Sequence, residues 1–96
     1  MIVVEVTENE VKVTGHAGYA EPGKDIVCAA VSVLAQNLID SVQAFTEELE
    51  EYTIAPGDIK IVFKNLSERG KLLIDSFFIG ICRIQDAYGS EYVQIR

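Results

Sequence analysis

The sequence predicts an α/β domain of the α+β type. Two long helices cover one face of a four-stranded sheet in a two-layer sandwich, in the order β-β-α-β-α-β. Three observations carry this expectation. Short stretches near the start, middle and end alternate apolar and polar residues, two long stretches repeat apolar residues every three or four positions, and Gly or Pro clusters separate them. With 96 residues and 49% hydrophobic content, the chain reads as one domain, residues 1–96, around a single modest core.

The elements follow in order. Ile2, Val4 and Val6 share one strand face with Glu5 opposite, and Val11 and Val13 repeat the pattern around Lys12. A polar turn between them makes a hairpin. The next stretch, His16 to Lys24, is broken by Gly18, Pro22 and Gly23. Asp25 is placed to cap a helix, because its carboxylate can accept an amide two or three residues on. That helix is expected from about Ile26 to Glu50, with Val27, Val31, Leu34, Leu38, Val42, Phe45 and Leu49 as its stripe. The acidic run Glu47–Glu51 reads as a solvated, fraying helix end without a ligand role.

Ala55-Pro56-Gly57-Asp58 breaks the chain. Ile59, Ile61 and Phe63 then alternate with Lys60 and Lys64 as a third strand. A second helix is expected from about Glu68 to Ala87, apolar on nearly every side between Leu72 and Ile84. A turn precedes a last strand that points Val93 and Ile95 inward. A first helix of about 36 Å is longer than so small a domain can cover. Together with the all-round apolar second helix, it predicts a homodimer packed through helices.

Eight basic against fifteen acidic residues leave a net charge of −7. That balance disfavours nucleic acid and anionic membrane surfaces and favours a basic protein or peptide partner. No apolar run is expected to span a bilayer, and the N-terminus lacks a basic region and cleavage signature. Cys28 and Cys82 lie far apart, which suggests neither a disulfide framework nor a zinc pattern. A cytoplasmic protein with free thiols, and no metal or other cofactor, is the simplest expectation.

The chemistry concentrates at one place. His16, the single histidine, sits just past a strand end, and Cys28 sits at the third position of the first helix. A short connection in a two-layer fold brings those ends to the same edge of the domain. At a helix start the free N–H groups and the helix dipole favour an ionised sulfur, and a Cys–His pair is the minimum for nucleophilic acyl chemistry. Asp25 is open to two roles, helix cap or orienting partner of His16. Ser32 lies one turn along the same helix face as Cys28. The Cys28 N–H and loop N–H groups are candidates for an oxyanion hole, and Gly15, Gly18 and Gly23 would let the loop open and close. Cys82, mid-helix, reads as structural.

The stretch from Gly15 to Ser32, with twelve positions from His to Cys and "DIVC" followed by Ser four residues after the Cys, resembles the signature of the ribosomal-processing cysteine proteases, Prp. The resemblance extends to length and element order over the whole chain. It implies a small α/β homodimer with a mobile loop between His and Cys. It also implies removal of an N-terminal extension from a large-subunit bacterial ribosomal protein, after an apolar stretch containing aromatics. Carried over, His16 is the base, Cys28 the nucleophile, and Asp25 and Ser32 support the site. Two other classes compete with a protease: a non-catalytic ribosome-associated binding module, and a thiol redox sensor, against which the lack of a nearby second cysteine speaks.

Overall fold

The computed structural model describes residues 1–96. Strands β1 (Ile2–Val6) and β2 (Glu10–Gly15) form the expected hairpin, with Val4 opposite Val13 and Val6 opposite Val11. Helix α1 spans Ile26–Phe45. Strands β3 (Leu49–Ala55) and β4 (Asp58–Phe63) follow as a second hairpin. Helix α2 spans Glu68–Tyr88, and β5 (Val93–Ile95) closes the fold.

The sheet has five strands in the order β3-β4-β2-β1-β5, not four. All neighbours are antiparallel except β1 and β5, so the sheet is mixed. Period-two alternation puts Ile2, Val4, Val11, Val13, Ile59, Ile61, Phe63 and Val93 on one buried face. The helices cover that face with Val27, Val31, Leu38 and Val42 from α1 and Ile74, Phe77, Ile81 and Ile84 from α2. Each such side chain contributes about 1.5–3 kcal/mol of burial. The helices approach closely at Gly80, where a Cβ would lie 2.8 Å from a Leu34 methyl.

The strand missing from the sequence expectation came out of the supposed end of the first helix. Glutamates favour helix and Leu49 continued the apolar spacing, but Thr46 stops α1. Its N–H and hydroxyl both donate to the Val42 carbonyl, at 3.0 and 2.7 Å, from an extended backbone. The chain then turns into β3, which pairs along β4 with a bulge between Leu49 and Glu51. Pro56-Gly57, with Gly57 at φ +70°, makes the two-residue hairpin turn, a combination suited to a type II geometry.

The acidic run is also not idle. Glu48 accepts the Ser67 N–H at 2.9 Å and the Ser67 hydroxyl at 2.7 Å, while Ser67 caps α2 by accepting from Gly70 N–H. These Ser67 bonds, aided by the Arg69 charge, hold the Glu48 carboxyl below its ordinary value. A Cβ at Gly70 would run into the Glu48 carboxylate.

At 20 residues α1 is about 30 Å long, so helix length no longer argues for a dimer. Its length and hydropathy also meet the composition of a membrane span, contrary to the sequence expectation, but its apolar stripe is spent on the sheet. The outward helix faces remain apolar: Val33, Leu72 and Ile79 are 65%, 67% and 69% exposed.

Candidate active site

β2 ends at Gly15, and His16 opens the connection to α1. Gly15 stands at φ +89°, and a Cβ there would run into the Met1 carbonyl oxygen, so the approach of the first strand demands glycine. Asp25 caps α1 from an extended backbone, its Oδ1 accepting from Val27 N–H and Cys28 N–H at 3.0 Å each. Its Oδ2 accepts from Tyr19 N–H at 2.9 Å and Ala20 N–H at 3.3 Å. Burial pushes this carboxyl up, but four amide donors outweigh it and hold it below its ordinary value. Both oxygens are therefore engaged by backbone, and neither bonds His16. Of the two roles left open, the geometry matches the cap, extended into a tie on the loop.

Cys28 is partly buried in the first turn of α1. Its Sγ accepts the Ala17 N–H at 3.2 Å. Ala17 follows His16 directly, so this bond ties the sulfur to the residue next to the imidazole. A backbone donor aimed at sulfur gains strength when the sulfur is charged. His16 and Cys28 line the same two cavities. One, about 370 Å³, lies between α1 and the β3–β4 hairpin and is walled by Val31, Gln36, Ile54 and Ile59. The other, about 670 Å³, lies under the loop beside Gly18, Pro22 and Gly23. Ser32 lines both.

The expected oxyanion donor on Cys28 is not free, because its N–H is committed to the Asp25 cap. The Ala17, Tyr19 and Ala20 amides are also engaged. Gly18, at φ +70° and on the cavity wall, takes part in none of these bonds. Its position and that of Gly23 would admit a Cβ, so only backbone conformation favours glycine there.

Two contributions went unseen in the sequence. The β3–β4 turn reaches the site: Gly15 N–H donates to the Gly57 carbonyl at 2.9 Å, and Ile54 to Ile59 wall the apolar cavity. Pro-Gly between β-forming Tyr52-Thr53-Ile54 and Ile59-Lys60-Ile61 was the available signal. The loop is also seated. The Tyr19 ring packs edge-on against Tyr88 at 5.3 Å and Tyr92 at 5.2 Å. Cys82, by contrast, sits in the middle of α2 and lines neither cavity.

The sequence model of the family described as cysteine protease Prp matches residues 1–94. The chain belongs to the Prp family. The ribosomal processing cysteine protease Prp of Mycoplasma genitalium is 53% identical over 32 residues, 33% of this chain. That match spans about a third of the relative's own length, 32%. Among solved structures, an essential ribosomal processing protease Prp from S. aureus, bound to a covalently linked product peptide, superposes with a TM-score of 0.90. It is 23% identical, and the match covers 100% of this chain and 98% of that one. SMU.848 from Streptococcus mutans superposes with a TM-score of 0.74 at 28% identity, over 99% of this chain and 90% of that one. These likenesses extend the Prp fold over the whole chain, including the five-stranded mixed sheet.

Proposed function

We propose that this chain is a cysteine endopeptidase that removes the N-terminal extension of a large-subunit ribosomal protein in the cytoplasm. The observation that carries the reading is the Ala17 N–H on Cys28 Sγ, at a helix start, on the wall of the cavities that His16 also lines. Membership of the Prp family and the peptide-bound structures of the S. aureus relative support it. The net charge of −7 suits a basic ribosomal substrate.

The Cys28 thiolate attacks the scissile carbonyl, forming a C–S bond and an oxyanion held by a loop amide, for which the Gly18 N–H on the cavity wall is the candidate. The oxyanion collapses, His16 gives its proton to the leaving amine, and the C–N bond breaks. Water then attacks the thioester as His16 takes its proton, and C–S cleavage returns the thiolate. The Ala17 N–H holds the sulfur aimed through both halves. The loop between His16 and Asp25 admits the peptide, and Ser32 supports the site from α1.

The outward apolar faces of α1 and α2 fit a homodimer packed through helices. Val33→Lys with Ile79→Lys then yields a monomer by sedimentation, and an unchanged mass sinks that part. The central test is incubation with an extended ribosomal protein, read by mass spectrometry. Wild type releases the extension, and Cys28→Ala and His16→Ala do not. Cleavage surviving either substitution removes the Cys–His pair, and binding without cleavage by wild type favours a non-catalytic module.

A further inference from the structure

The His16 side chain stands exposed at the strand end, and neither the side-chain bonds of the loop nor the salt bridges reach its ring. Asp25, the carboxylate weighed above as an orienting partner, has both oxygens on backbone amides. An imidazole without a hydrogen-bonded partner is aimed by what it packs against.

What it packs against is the tip of the β3–β4 hairpin. A Cβ built on Gly57 would lie 2.7 Å from His16 Nε2, 3.1 Å from Cε1 and 3.3 Å from Cδ2. All three distances are tighter than ordinary van der Waals contact. The Nε2 side of the ring therefore occupies the space that a side chain at Gly57 would fill. The same residue is bolted to the strand end, since its carbonyl accepts the Gly15 N–H at 2.9 Å. It also adopts φ +70°, which lets Pro56-Gly57 turn the hairpin back toward the site.

We propose that Gly57 is a positioning residue for the Cys28–His16 reaction: its missing side chain is the seat that sets the orientation of the His16 imidazole. This rests on the protease reading above. A methyl group at that point displaces the ring by some tenths of an ångström or swings it to another rotamer. Misplacing a base on that scale costs rate far more than substrate binding.

The test uses the whole chain with two stereoisomers at one position. Gly57→Ala places its methyl on the ring. Gly57→D-Ala, assembled by ligation at Cys28 and Cys82, suits the positive φ and places its methyl on the other Cα hydrogen. Gly57→Ala is expected to lower kcat at least tenfold with KM within about twofold, and to shift the ring resonances of the single histidine. Gly57→D-Ala is expected to leave both near wild type. Unshifted ring resonances in Gly57→Ala, or an equal loss of kcat from both isomers, overturn the proposal; the latter assigns the effect to the turn. If Gly57→Ala does not fold, the wild-type chain still decides: a nuclear Overhauser effect between the Gly57 Hα and the His16 ring protons is required, and its absence overturns the seat. Because resonances and Overhauser effects need no turnover, a wild type that cleaves nothing fails the protease reading without deciding this one.

Discussion

Replacing Asp25 tests how the site is held together. One carboxylate accepts four backbone amides, two that start α1 and two from the loop. Losing a helix cap costs about 1 kcal/mol, within a range of roughly 0.5–2. The two loop amides are exposed and can rehydrate, so they add about 0.5 kcal/mol each, the low end of the net range for a hydrogen bond, or about 1 kcal/mol together. Asp25→Ala is therefore expected to lose about 2 kcal/mol, a fall in Tm of about 8–16 °C for a chain of this size. Asp25→Asn keeps an oxygen for the helix but turns an NH2 toward the Tyr19 and Ala20 donors, so it loses about half as much. The pH dependence has a definite sign. The folded carboxyl titrates below its ordinary value, so its stabilisation is complete above the unfolded value of about 3.9 and is lost as pH falls through the lower folded value. Thermal unfolding by circular dichroism from pH 7 down to pH 2.5 (about the lowest workable value) measures this. The gap between wild type and Asp25→Asn should narrow below about pH 4. A gap that widens in acid, or an Asp25→Ala chain melting within about 2 °C of wild type, refutes the reasoning.

Other outcomes follow from the same geometry. Iodoacetamide at neutral pH should alkylate Cys28 much faster than Cys82, which sits mid-helix without a comparable donor; equal rates, read by peptide mass, show that Cys28 is not activated. Tyr19→Ala removes two edge-on ring contacts and should speed hydrogen exchange across residues 17–24 at a cost of about 1 kcal/mol; unchanged exchange means the ring does not seat the loop. Ile61→Val, in a side chain with no exposure, should cost about 0.5–1.5 kcal/mol in urea unfolding with an unchanged m-value, and a neutral result argues against its place in the core.

The strands whose two faces differ were legible in the sequence, as were both helix starts, because alternation and capping are local. The β3 strand was not. Its residues lie on the sheet edge, where even the inward-facing Tyr52 and Ile54 are about half exposed, so burial left little alternation among the glutamates. That His16 and Cys28 line the same cavities at one edge was legible, because a short loop in two layers leaves few alternatives. The role of Asp25 and the loss of the Cys28 amide to it required atomic distances. The contribution of the β3–β4 turn depended on strand order, which no local pattern states. Tyr19 meets Tyr88 and Tyr92 across almost the whole sequence, and such partners leave no trace in spacing.

The tyrosine seat has a consequence for synthesis. Tyr88 and Tyr92 flank the approach to β5, which docks in parallel beside β1. A chain made only as far as β3 already carries His16 and Cys28, but nothing for Tyr19 to rest on. The loop edge beside Cys28 is thus completed only after the segment carrying Tyr88 and Tyr92 has joined the fold, so its order depends on an element far away along the chain.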